Sequence, residues 1–296
     1  MNRGLFQYDV TTCETKIIPG LYGFIAQLNQ GRHLKKRFEQ SRDCKSHFKP
    51  RARLGKRTIN VLSINVSPIE YGHVLLLPRV LHCLPQRIDH ESFLLALHMS
   101  KEAADPFFRL GYSSLGAFIT INHLHFEAYY LAAPFPVEKA PTQRAVLEMG
   151  LEHRGVFVSQ LLNYPVRGLV FEGGNRARDL SDAVANACVF LQNNNIPFNV
   201  LVSDSGKRIF LFPQCFAEKQ ALGKVSQEIL DTEVNPAVWE ISGHIVLKRR
   251  KDFEDASEAY AWRLLSEVSL SEDRFQDVKT CILKAAGLHV AYVEEN

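Results

Sequence analysis

"NHLHFEAYYL", residues 122–131, sets two histidines and a glutamate at alternate positions of an otherwise apolar run. Side chains of a strand alternate between its faces, so His123, His125, Glu127 and Tyr129 share one face and Leu124, Phe126, Ala128 and Tyr130 the other. Reactive polar groups on a strand otherwise suited to a core need partners, because burying them unpaired is costly. Three readings are open on this stretch alone. The face is solvent-exposed with histidines as spacers; or two imidazoles and a carboxylate hold a divalent metal; or one imidazole is a nucleophile towards phosphorus. Histidine suits the last role because it is neutral and nucleophilic near pH 7. Metal sites of the facial-triad or cupin type fit the tight H-x-H-x-E spacing poorly.

Outward from this stretch, the upstream "TINVLSINV" and "HVLLLP" read as two strands joined by a loop with Pro68 and Gly72. Asp89 caps a helix over "HESFLLALHMSKEAA", stopped before Pro106. "LGAFITIN" and "HLHFEAYYLA" read as one long strand or two abutting ones. "APFPVEKAPTQ" is a proline-punctuated connection and the expected seam between two halves. Beyond it "VFVSQLL", "VRGLVFE", "FNVLVSD", "RIFLFP" and "GHIVLKR" read as strands, with "DSGKRIF" holding a hairpin turn. Leu180, Val184, Cys188 and Leu191 repeat at helical spacing. Near the end Ser269 and Glu272 stand in capping-box register, followed by Phe275, Val278 and Ile282 on one helical face and Gly287 as a stop. Strands in runs with helices between them make the fold class α+β, two halves with mainly antiparallel sheets flanked by helices. The expected divisions are 1–57, an N-terminal segment with a basic loop; 58–136, the half bearing the histidines; and 137–296, the C-terminal half of the same fold.

With 46% hydrophobic and 23% charged residues the 296-residue chain has ordinary globular composition. No apolar run reaches the roughly 18 residues of a membrane span, and the start lacks a signal-peptide layout, so no membrane partner is expected. Six scattered cysteines without a CxxC pair suit a reducing compartment and argue against a zinc ribbon or disulfide scaffold. The net charge of +3 hides a basic block over residues 32–57, where eleven Lys/Arg face two acidic residues, a local +9. Such a block attracts phosphate or an import factor, or is a solvated loop. The expected location is cytoplasmic, with nuclear import added if the block is read by a carrier; nucleic acid is not an expected partner.

"INVSPIEYGHVLLLPR" places Asn65, Pro68, Gly72, His73 and Pro78 in the order of the histidine-triad superfamily: strand, G-H loop, strand, helix, then the H-x-H strand. Residues 62–136 resemble its galactose-1-phosphate uridylyltransferase branch. The strings "SINVSPIEYGHVLLLPRVLHCLPQRID", "LGAFITINHLHF", "APFPVEKAPT", "PFNVLVSDSGKRIFLFPQC" and "VNPAVWEISGHIVLKRR" make the chain similar to the GDP-D-hexose phosphorylases, in particular their plant members.

The resemblance implies a histidine-triad-like fold and guanylyl transfer from a GDP-hexose to inorganic phosphate, a step of ascorbate synthesis in plants. GDP-hexose and phosphate are then the partners, no cofactor and no metal are implied, and a homodimer is compatible with it. His125 is implied as the nucleophile and His123 as the residue that orients it. Asn65 and His73 are implied at the substrate site, and the Gly116 region as a source of backbone N–H groups for phosphate oxygens. Arg167, Arg208 and Lys207 are candidate anion-binding groups, each equally readable as a surface charge.

The chain departs from the family at Glu127, where relatives carry glutamine. Glutamine donates a hydrogen bond to a phosphoryl oxygen, whereas an ionised glutamate only accepts. At about 4 Å and an effective dielectric near 20 the repulsion is about 4 kcal/mol, about a thousandfold in rate if wholly expressed in the transition state. A neighbouring anion would raise the carboxyl's pKa and relieve this in acid. The segment 38–60 is shorter than in relatives, Ser113 and Ile119 stand where Asn and Ala are expected, and Met1 falls where relatives have upstream sequence, so a truncated start is expected. Two alternatives follow: a catalytically impaired paralogue that binds guanine nucleotide or a partner protein, and a GDP-sugar hydrolase in which Glu127 assists water.

Overall fold

The computed structural model describes residues 6, 8–32, 58–119, 121–145 and 155–288. All of the basic block except Arg32 lies outside them. A three-stranded sheet joins β1 (Glu14–Ile17), β2 (Ile25–Leu28) and β12 (His244–Leu247), with β2 and β12 parallel. A nine-stranded antiparallel sheet contains β3 (Val61–Ile64), β4 (Val74–Leu77), β5 (Phe108–Ser113), β6 (Phe126–Tyr130), β7 (Thr142–Arg144), β8 (Val156–Leu161), β9 (Leu169–Gly173), β10 (Phe198–Ser203) and β11 (Arg208–Pro213). Its order is β3-β4-β6-β5-β10-β11-β9-β8-β7, so it runs through both expected halves, while the small sheet ties the N-terminal segment to the C-terminal half.

Both faces of the large sheet are covered. On one lie the long helices α1 (His90–Ala103), α2 (Ala177–Asn193) and α8 (Glu272–Ala285), whose Phe93, Leu97, Val184, Leu191, Phe275 and Ile282 share a core with Phe126, Ala128, Val200, Val202, Ile209 and Leu211. On the other lie the small sheet and shorter helices: α3 (Phe216–Ala221), α4 (Gln227–Asp231), α5 (Val238–Ser242), α6 (Arg250–Glu254) and α7 (Glu258–Ser266). Their core includes Tyr129, Leu201, Phe210, Phe212, Trp239, Ile245 and Leu247. β10 and β11 therefore read as unbroken apolar runs, because each alternate residue enters one core or the other. β6 obeys the same alternation: Phe126 and Ala128 go to the long helices, Glu127 and Tyr129 to the side of α5.

The α+β class and the expected strands β3, β4, β8–β12 stand, as does α1, whose cap Asp89 accepts the Ser92 N–H at 3.0 Å. Residues 115–119 differ from expectation. This part of "LGAFITIN" is irregular, with Gly116 at φ +79° and Phe118 at φ +66°, conformations that stop an extended strand. The strand instead precedes it, over "FRLGYS". Arg109 and Gly111 disguise it: Arg109 is buried by pairing with Glu138 at 2.6 and 2.8 Å, and Gly111 leaves room for α5. The cap of α8 is Ser271, because the Ser269 hydroxyl is taken by the Arg167 N–H at 3.1 Å.

Candidate active site

The expected histidine strand begins later than its alternation implies. β6 starts at Phe126, and residues 122–125 are an extended lead-in held by the 84–86 segment rather than by a neighbouring strand. Leu124 N–H bonds the Leu84 carbonyl at 2.8 Å, and the Asn122 side chain accepts the Gln86 N–H at 2.9 Å. The buried Gln86 amide accepts the His125 N–H at 3.0 Å and donates to the His125 and Ser113 carbonyls at 3.2 and 3.0 Å. It thus fills the place of a strand partner where β5 and β6 diverge beyond the Gly111–Glu127 pair.

The His125 imidazole lines a cavity of about 330 Å³ between the large sheet, the small sheet and α5, together with Arg32, Asn65, Ser113, Glu127, Trp239 and Lys248. That volume is at the lower end of small-ligand sites. His125 Nδ1 lies 2.7 Å from the His123 carbonyl. A carbonyl only accepts, so Nδ1 carries the proton and the neutral ring keeps its lone pair on Nε2. His123 acts here through its backbone oxygen; burial, then the neighbouring His125, holds its own imidazole below the usual histidine range.

Glu127 is held from two sides. Trp239 Nε1–H donates to its Oε2 at 2.8 Å, and His73 Nε2 lies 3.5 Å from the same oxygen. His73 Nδ1 accepts the Ile69 N–H at 3.0 Å, which assigns the proton to Nε2 and leaves the ring neutral. Burial pushes the His73 pKa down further. Burial, the largest single influence, raises the Glu127 pKa, but the His73 contact together with the nearby Arg32 and His125 turns the net direction down; the Trp239 N–H also favours the ionised form. Relief of the carboxylate's charge by protonation, expected from the sequence, is therefore not what this site is built for.

Trp239 reaches Glu127 because α5 lies close on β5. A Cβ on Gly111 would stand 2.7 Å from Val238 Cγ1 and 2.9 Å from the Trp239 ring. The indole packs against Tyr129, centroids 4.3 Å apart. Tyr129 Oη is 2.9 Å from His244 Nδ1, and burial depresses the His244 pKa to about 3. Around the rim, Arg32 Nη1 donates to the Ser67 carbonyl at 2.8 Å, and Asn65 Oδ1 accepts the Ser67 N–H at 2.9 Å.

The structure brings His125, His123, Glu127, His73 and Asn65 together. It does not bring Arg167, Arg208 or Gly116. Arg167 pairs with Glu272 at 2.6 Å and donates to the Leu270 carbonyl at 2.7 Å. Arg208 pairs with Glu172 at 3.2 Å and donates to the Glu138 carbonyl at 3.0 Å. Lys207 is exposed at the β10–β11 turn. Gly116 lies in the turn closed by the Ala117 N–H to Ser114 carbonyl bond, and the cavity wall begins two residues later at Phe118. Sequence reasoning gave no role to Gln86, Arg32, Trp239 or Lys248. Only their presence in strings shared with relatives, or in the basic block for Arg32, marked them at all. Among the described residues no cluster of three or more His, Cys, Asp or Glu could hold a metal, and no helix is long and apolar enough to cross a membrane.

A fold of this shape is also found in a crystal structure of yeast Ap4A phosphorylase Apa2, with TM-score 0.61 and 14% identity over 91% of each chain. At that identity the likeness is one of fold, the histidine-triad-like fold. Residues 1–53 and 37–129 match the GDPGP1-like N-terminal domain, and residues 136–289 the GDPGP1-like C-terminal domain. Arabidopsis thaliana GDP-L-galactose phosphorylase 1 is 59% identical over 317 residues, 96% of this chain and 71% of that protein. Human GDP-D-glucose phosphorylase 1 is 30% identical over 327 residues, 95% of this chain and 79% of that protein. The chain belongs to the GDPGP1-like family of GDP-hexose phosphorylases.

Proposed function

We propose that the chain transfers the guanylyl group of a GDP-hexose to inorganic phosphate, releasing hexose 1-phosphate and GDP, by way of a His125–guanylyl intermediate. The observation that carries the assignment of His125 is its Nδ1–H bond to the His123 carbonyl, which presents the Nε2 lone pair at the cavity wall. Nε2 attacks the α-phosphorus as the bond to the hexose 1-phosphate oxygen breaks. Phosphate then attacks the same phosphorus, and the P–N bond returns its electron pair to Nε2. Among the described residues, Arg32 and Lys248 are the cations of the cavity wall and offset the charge of the diphosphate. The similarity to GDP-L-galactose phosphorylase favours L-galactose as the hexose.

The test is incubation with GDP-L-galactose without phosphate, followed by mass spectrometry. An acid-labile GMP adduct is expected on His125, discharged to GDP by phosphate and absent from His125→Asn. GDP formation at the wild-type rate by that variant would remove His125 from the mechanism. A second reading is hydrolysis, favoured by the accessible carboxylate of Glu127 beside His125; GMP rather than GDP as the product would select it.

A further inference from the structure

Both donors to Glu127 converge on one oxygen. Trp239 Nε1–H and His73 Nε2–H meet Oε2, while the residue lines the cavity two positions after His125 with its side chain 22% exposed. Oε1 takes no hydrogen bond from any described residue. This geometry decides how a glutamine would sit here: its carbonyl oxygen must receive the two N–H groups, which turns its NH₂ into the cavity. A glutamine and a glutamate thus present opposite hydrogen-bonding characters to the same space, a donor in one and an acceptor in the other.

An acceptor at that point discriminates among oxyanions by whether they carry a proton. Inorganic phosphate keeps at least one P–OH near neutrality and can donate it to Oε1; sulfate has none and would set bare oxygens against a carboxylate. Resting on the reading that phosphate is the acceptor at His125, we propose that Glu127 Oε1 makes the acceptor subsite selective for a protonated oxyanion, admitting phosphate and excluding sulfate. The phosphate oxygen that attacks the guanylyl phosphorus is a different one from the P–OH, whose proton stays on the terminal phosphate of the GDP formed.

Among the described residues, the charged and titratable groups around Oε1 are His125 on its own segment, His73 ahead of β4, Arg32 beyond β2, Glu240 on α5 and Lys248 beyond β12. His73 is neutral, so the selectivity depends on the Glu127 carboxylate set against Arg32 and Lys248, with Glu240 as a second anion of the wall. The lowered Glu127 pKa keeps that carboxylate ionised in the working range.

Equilibrium titration with inorganic phosphate and with sulfate, on the wild-type chain and on Glu127→Gln, tests this without turnover. The wild type is expected to bind phosphate at least tenfold more tightly than sulfate, and the variant to bind both within about threefold. Equal affinities in the wild type, an undiminished preference in the variant, or no oxyanion binding by either would overturn the proposal. In a parallel assay of GDP formation, sulfate should compete with phosphate in the variant far more strongly than in the wild type. Discrimination in the titration without any GDP or His125 adduct would leave Glu127 selective and sink the transfer reading instead.

Discussion

Glu127 shows how one atom type sets the hydrogen-bonding character of a site. Its Oε2 contacts to Trp239 and His73 are ones a glutamine carbonyl also makes, so Glu127→Gln is expected to leave stability nearly unchanged. In rate it replaces an anion by a donor facing the phosphoryl oxygens. GDP formation is expected to rise by one to three orders of magnitude, the upper bound being about 4 kcal/mol of repulsion at roughly 4 Å. Because the Glu127 pKa is lowered, the variant's advantage should stay constant between pH 5 and 8. Steady-state GDP formation over that range measures both statements, and a wild-type rate equal to the variant's would remove the carboxylate as an obstacle. The type of this residue and its place on a polar face were legible in "NHLHFEAYYL". Its partners were not, since His73 lies 54 positions upstream and Trp239 112 downstream in the numbering.

At the scale of elements, the site depends on two fittings that periodicity does not reveal. One is the Gln86 amide, which substitutes for a strand between Ser113 and His125. Gln86→Ala removes three hydrogen bonds and frees the backbone that aims the nucleophile. Since misplacement near 1 Å costs on the order of a hundredfold, a 10- to 100-fold fall in kcat is expected, with a folded far-ultraviolet spectrum. The other is the approach of α5 to β5 at Gly111. Gly111→Ala forces Val238 and Trp239 outward, with an expected loss of about 1–3 kcal/mol from overpacking. A changed Trp239 fluorescence and a denaturant midpoint shifted downward would register it. β5 itself escaped the sequence because a buried arginine and a glycine interrupt its apolar character. Arg109 is tolerated only because Glu138, from the 3-10 turn within the expected seam, neutralises it.

Over the whole molecule, the two cores on either side of the nine-stranded sheet have different tasks. The face under α1, α2 and α8 buries no histidine from the sheet strands that form it, among the described residues, whereas the face under α5 and the small sheet admits His73, Glu127, Tyr129 and His244. Burying neutral histidines there makes stability depend on pH. The His244 pKa is depressed to about 3, so below the ordinary value near 6.5 the unfolded chain binds a proton that the folded chain refuses. Stability is complete above about pH 6.5 and is lost as pH falls towards the folded value. From pH 6.5 to 5 the loss from His244 is about 2 kcal/mol. Urea unfolding at the two pH values should show His244→Gln losing about that much less than the wild type.

Local order follows from the sequence wherever a pattern is continuous and its environment symmetric. Alternation in β6, the apolar runs of β10 and β11, the Asp89 cap of α1 and the spacing of α2 all depend on neighbours a few residues away, so they could be read directly. The histidine pair and the glutamate two positions after it were likewise visible, and so was the resemblance that names the chemistry. Tertiary structure alone decided which groups meet His125. Arg32, Trp239 and Lys248 come from three separate segments to one cavity and Gln86 from a fourth to the backbone of His125, while Arg167 and Arg208, equally basic on paper, are spent on Glu272 and Glu172. Charge and residue type say what a side chain can bind; only the packing of distant elements says what stands within 3 Å of it.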